Sequence, residues 1–140
     1  MKKLLVLILP LLIVLAACRK KDNSAGCQTS RACTAEFASI GVQFIDKDGN
    51  YLKVNDITVT NLRSNSEILV KNKVEAGFSP NTYFIATDAN KDEFSTAGDD
   101  VKLTTTTVGT NKLVTAMLKI SGGCNCHIQK VSGTNKIVVE

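Results

Sequence analysis

From Cys33 to the C-terminus, apolar and polar residues alternate in short runs with a period of two, the pattern of strands that bury one face. In residues 35–45, Ala38, Ile40, Val42 and Phe44 fall on one side. Further runs lie at 57–60, 68–70 and 83–87, and a β-branched stretch over 101–107 suits a pleated surface. The clearest alternation covers 114–120, where Val114, Ala116, Leu118 and Ile120 point one way and Thr115, Met117 and Lys119 the other. Runs at 127–131 and 137–139 close the chain. Turn formers separate them: Asp48-Gly49, Ser79-Pro80-Asn81, Gly109-Thr110-Asn111, Gly122-Gly123 and Gly133-Thr134-Asn135. No segment carries a helical apolar stripe over three turns. About seven or eight short strands, with turns about every 8–12 residues, predict an all-β fold: a single antiparallel β-sandwich over residues 33–140.

The N-terminus has a different pattern. Lys2 and Lys3 precede an apolar run over residues 4–17, interrupted only by Pro10. Spanning a bilayer takes roughly 20 apolar residues, so this run is a secretory signal rather than a membrane helix. Its end, Leu15-Ala16-Ala17-Cys18, resembles the lipobox of bacterial lipoproteins. The resemblance implies cleavage before Cys18, diacylglycerol on its thiol and acylation, commonly palmitate, of the new amino group. The expected organisation is therefore a signal peptide over 1–17, a lipid-anchored tether over 18–32 and the sandwich over 33–140. The expected location is the cell envelope, at the outer membrane. Loss of Lys2 and Lys3 lowers the net charge from +4 to +2, and no nucleic-acid footprint remains. Arg19, Lys20 and Lys21, just after the anchor, can add attraction to anionic head groups.

Four further cysteines, Cys27, Cys33, Cys124 and Cys126, form an even set, which in an exported chain reads as disulfides. A 124–126 link would sit at the limit of disulfide reach, so Cys27 and Cys33 are each expected to bond one of the distal pair. Cys33–Cys126 is favoured, on the ground that each opens a strand and the strands could be neighbours in one sheet; Cys27–Cys124 follows by elimination. The competing reading is a soft-metal site at Cys124-x-Cys126-His127. A weak calcium candidate is Asp88, Asn90, Asp92 and Asp99, with ligand-like spacing but without flanking helices. The other acidic loop, Asp46-x-Asp48-Gly49-Asn50, is better explained as a hairpin turn. No metal and no cofactor beyond the lipid on Cys18 are expected. No nucleophile elbow, metalloprotease helix or phosphate loop is present, and no catalytic residue is assigned.

The mature part is similar to small surface lipoproteins with a transthyretin-like or carboxypeptidase-regulatory-like β-sandwich. The similarity is carried by Cys33-Thr34-x-x-Phe37, by Asp46-x-Asp48-Gly49, and by Cys126-His127-Ile128 leading to Val131-Ser132-Gly133. It implies a non-catalytic binding or structural accessory module, with membrane lipid as one partner and an unknown protein or glycan as another. The rival expectation is a carbohydrate-binding lipoprotein of an outer-membrane uptake system, and a third is a small hydrolase. Sugar platforms favour exposed aromatic faces, and without Trp the candidates are Tyr51, Tyr83, Phe78 and Phe94.

Overall fold

The computed structural model describes residue 27, residues 32–70 and residues 81–140. The signal peptide at 1–17, Cys18, most of the tether over 18–32, Phe78 and the Ser79-Pro80 half of one turn lie outside these residues. Eight strands follow in order: β1 (Ser39–Ile45), β2 (Thr58–Asn61), β3 (Ser66–Glu67), β4 (Tyr83–Thr87), β5 (Asp99–Thr106), β6 (Leu113–Ser121), β7 (Gln129–Ser132) and β8 (Lys136–Val138), with a short 3-10 helix over Asp88–Glu93. They form a three-stranded sheet, β4-β1-β8, and a five-stranded sheet, β3-β2-β5-β6-β7. The fold is an all-β sandwich.

The period-two pattern selects the faces. Ile40, Val42 and Phe44 of β1 are buried, as are Val114, Leu118 and Ile120 of β6 and Val101 and Leu103 of β5. These residues meet Ile85 and Ala86 of β4 and Ile137 of β8 in one core, where alternate side chains from two facing sheets interdigitate. Phe94 and Ile128 close one end of it.

Several boundaries differ from the sequence pattern. β1 begins at Ser39 rather than at 35, and β7 begins at Gln129 rather than at 127, because the residues before each are held by side-chain contacts described below. The run at 68–70 is not itself a strand. β3 is Ser66–Glu67, and Ile68 extends its pairing with one further bond from its N–H to the Val59 carbonyl, 2.8 Å. One pairing also departs from the antiparallel expectation: β8 lies parallel to β1, with Phe44 opposite Ile137. Parallel pairing needs a long crossover rather than a hairpin, and the whole of the chain between them supplies it.

Two turns show why their residues were chosen. Asp46 accepts hydrogen bonds at Oδ1 from the Asp48 and Asn50 N–H groups (2.9 and 2.8 Å), and Gly49 takes φ +86°. The loop is thus an Asx-type turn, closed within itself. At the other end, Gly122 and Gly123 stop β6 and let the chain pack against the 3-10 segment. A Cβ on Gly122 would overlap the Lys91 carbonyl oxygen and crowd Phe94. Gly122→Ala is therefore expected to cost about 1–3 kcal/mol through overpacking, read as a lowered denaturation midpoint with unchanged slope. An unchanged midpoint would contradict this packing.

Candidate functional site

The chemistry-bearing side chains gather at one pole of the sandwich, where β4 ends, β5 begins and β6 ends. The Gly122-Gly123 stop directs the following residues over the 3-10 helix: the Gly123 N–H donates to the Lys91 carbonyl (2.8 Å), the Cys124 N–H to Thr96 Oγ1 (3.1 Å) and Asn125 Nδ2 to the Thr96 carbonyl (3.1 Å). That course presents Cys124 and Cys126 to the incoming N-terminal segment. Cys27 pairs with Cys124 and Cys33 with Cys126, with Cα atoms 5.1 and 5.3 Å apart, well inside disulfide reach. The favoured pairing thus matches the structure, but its geometric basis does not. Cys33 lies ahead of β1 in the three-stranded sheet and Cys126 ahead of β7 in the five-stranded sheet. The Cys33–Cys126 bond crosses between the two layers instead of joining neighbours in one.

Beside the disulfides, Asp88 uses both carboxylate oxygens. Oδ2 accepts the Ala38 N–H (2.8 Å) and lies 2.7 Å from His127 Nδ1, while Oδ1 accepts the Ile128 N–H (2.8 Å). The Asp88 N–H returns a bond to the Ala38 carbonyl (3.0 Å). Burial pushes this carboxyl up, but the Ala38 and Ile128 N–H groups and His127 outweigh it and hold its pKa below the ordinary value. An ionised Asp88 fixes the imidazole proton on Nδ1, leaving the Nε2 lone pair to accept from the Thr34 hydroxyl at 3.0 Å. A hydroxyl, an imidazole and a carboxylate in series are the parts of an activated nucleophile. Here they also join three distant segments, and the cleft described below includes none of them.

The sequence spacing did not reveal this cluster. Spacing makes Asp88 an oxygen ligand and the apolar pattern puts His127 in a strand, whereas His127 lies in the bend before β7. One signal was available: Thr34 follows Cys33 and His127 follows Cys126, so the disulfide alone brings them together.

The four calcium candidates are not brought together. Asp88 is occupied as described. Asn90 is buried, accepting from the Thr87 N–H (3.2 Å) and donating to the Leu69 carbonyl (3.2 Å) and Glu93 Oε1 (2.8 Å). Asp92 is exposed beside Lys91. Asp99 is buried elsewhere, accepting from Asn61 Nδ2 (2.9 Å), Arg63 Nε (2.8 Å) and the Ser95 N–H (2.9 Å). Among the described residues no group of three or more His, Cys, Asp or Glu could hold a metal ion, and the Cys124-x-Cys126-His127 thiols are spent in disulfides.

The aromatic candidates separate as well. Phe94 is core and Tyr83 is half-buried, edge-on to Phe44 with centroids 5.7 Å apart, while Tyr51 is exposed. Phe37, which the sequence pattern did not single out for this role, is 69% exposed. Phe37 and Tyr51 flank opposite ends of β1, about 25 Å apart at strand rise, and make no common platform. A cleft of about 250 Å³ opens between the β2–β3 side and β4, lined by Val54, Ile57, Val59, Ile68, Leu69 and Tyr83 with Asn55, Asp56, Glu67 and Thr82 among its polar groups. Its lining includes Val70 and Thr82, close to where the chain leaves and re-enters the described residues.

Comparison with known proteins finds no match: no family model, no curated protein and no solved structure aligns with this chain.

Two predictions follow from this geometry. Non-reducing peptide mapping should recover the 27–124 and 33–126 linked peptides, and either bond taken alone, closing a loop with sequence separation 97 or 93, stabilises by about 4–5 kcal/mol in the chain-entropy model. Free thiols, or a 124–126 link, would contradict it. For Asp99, burial pushes the carboxyl up, but hydrogen bonds from Ser95, Asn61 and Arg63 prevail and hold it at about 2, against 3.8 when unperturbed. A depressed folded pKa gives stability that is complete above about pH 4 and lost as pH falls towards 2. Asp99→Asn should therefore cost about 2 kcal/mol or more at neutral pH and flatten the acid limb of a denaturant-midpoint-versus-pH curve. An acid limb identical to that of the unsubstituted chain would overturn the assignment.

Proposed function

We propose that the protein is a membrane-anchored, extracytoplasmic lipoprotein whose sandwich acts as a non-catalytic binding or structural accessory module. The observation that supports this reading best is the use made of the reactive groups. The cysteines and the Asp88–His127–Thr34 series all fasten the N-terminal segment to one pole of the sandwich. Directly upstream lies the lipobox Leu15-Ala16-Ala17-Cys18, so the fastened segment is the one that would transmit load from an anchor. A domain held this way is suited to display close to a membrane. The resemblance to transthyretin-like surface lipoproteins points in the same direction, and the location we propose for the anchor is the cell envelope, at the outer membrane.

A second reading, recognition of a glycan, is favoured by one feature. The inter-sheet cleft combines an apolar floor and the Tyr83 ring with Asp56, Glu67, Asn55 and Thr82, a mixture suited to an amphipathic small ligand. The absence of a joint aromatic platform at Phe37 and Tyr51 weighs on the other side.

The anchor is tested first. The native protein should partition with membranes and show an intact mass consistent with a chain beginning at an acylated Cys18. Cys18→Ala should abolish both, leaving an unprocessed or mislocalised precursor. A soluble, unacylated native chain beginning elsewhere would defeat the proposal.

A further inference from the structure

We infer that the disulfide-bolted pole of the sandwich is its lipid-facing surface, with Phe37 as the side chain that enters the membrane interface. The inference rests on the lipid anchor proposed above and adds an orientation to it. Three observations carry it.

The first is length. Cys27 is bonded to Cys124, so only residues 19–26 separate an anchor at Cys18 from a fixed point on the domain. Those residues reach at most about 30 Å when fully extended. β6 has nine residues, about 30 Å at strand rise, and it ends next to Cys124. Turning the opposite pole, the Asp46–Asn50 turn, towards the bilayer would stretch the tether over its whole length along the domain. The bonded pole reaches the surface with slack to spare.

The second is Phe37 itself. At 69% exposed, Phe37 is the most exposed of the large apolar side chains among the described residues, and its backbone is not free to fold it away. The next residue, Ala38, exchanges bonds with Asp88 in both directions (2.8 and 3.0 Å), and Cys33, four residues earlier, is bonded to Cys126. Phe37 is thus held outward from a clamped segment. Phenylalanine on the apolar face of a surface-binding element inserts at the boundary between head groups and acyl chains.

The third is charge. Arg19, Lys20 and Lys21 lie in the tether itself, where each basic residue adds about 1 kcal/mol of attraction to an anionic surface. Asp22 and Glu36 oppose them, leaving a net positive charge along the sequence between the anchor and Phe37. The partner is accordingly an anionic phospholipid surface.

The chain contains no tryptophan, so one introduced residue is a unique reporter. Phe37→Trp and, at the far pole, Tyr51→Trp place it at two exposed positions where folding is little perturbed, checked by equal melting temperatures. Each full-length lipidated protein is reconstituted in phosphatidylethanolamine–phosphatidylglycerol vesicles containing brominated acyl chains. The expected result is a blue-shifted emission and a several-fold larger quenching at position 37 than at 51. Equal quenching, or stronger quenching at 51, overturns the inference. The same pair is measured with Cys18→Ser chains held by an N-terminal histidine tag on nickel-chelating lipid in otherwise identical vesicles. If native protein fails to float with vesicles while the tagged pair still quenches at 37, the anchor reading falls and the lipid-facing pole stands. If native protein floats but neither pair discriminates, the anchor stands and the orientation falls.

Discussion

The Asp88 carboxylate is where three remote parts of the chain are made to agree. It sits at the end of β4, takes N–H groups from the segments before β1 and before β7, and faces the His127 ring. A part-buried ionised carboxylate is held best when its lone pairs are filled, and here the two N–H groups and the imidazole fill them, so departure of either segment removes part of that satisfaction. The disulfides lie immediately beside these contacts. Hydrogen bonds define the position of the segments and the covalent links make their departure improbable; neither alone does both. Removing one partner would leave the others with unmet polarity, a cost larger than the net worth of any single bond.

A second, independent polar knot sits nearby at Asp99. Asn61 in β2, Arg63 beyond it and Ser95 after the 3-10 helix converge on this carboxylate. Its neighbours Val101 and Leu103 supply apolar burial on the same face of β5. The two knots divide the work. Asp88 fastens the chain's early part to the sandwich, while Asp99 fastens the β2–β3 hairpin to the start of β5. Apolar packing provides most of the driving force in such a small core, and these buried polar groups restrict which arrangement of strands it stabilises.

Strand positions and inward faces were readable along the chain because period-two burial is a local property: β1, β5 and β6 each carry it in consecutive residues. Pairing was not readable to the same degree. Nothing near Ile137 announces that β8 will lie parallel to β1, since that depends on the full path between them. Asp88, Asn90, Asp92 and Asp99 illustrate the ambiguity of side-chain oxygens. Spaced acids and amides suit a cation loop and a capped turn equally well until backbone geometry decides, and here the 3-10 helix sends them to different partners. The cysteines were readable by count and reach, yet the layer-crossing geometry that joins Cys33 to Cys126 was not. It depends on where Gly122 and Gly123 turn the chain.

The pairing of β1 with β8 has a consequence for how the domain is born. For a chain that emerges N-terminus first, the first strand waits for the last one, and Cys27 and Cys33 wait for partners more than ninety residues away. Contacts this distant in sequence slow folding and leave early segments exposed meanwhile. During that interval the nearest thiol to Cys27 is Cys33, so the most accessible oxidation product is a non-native loop that must be reshuffled by exchange. Closure of the sandwich is thereby tied to the arrival of residues 121–140, and chains that stop short of them should accumulate as thiol-trapped species rather than as shortened sandwiches.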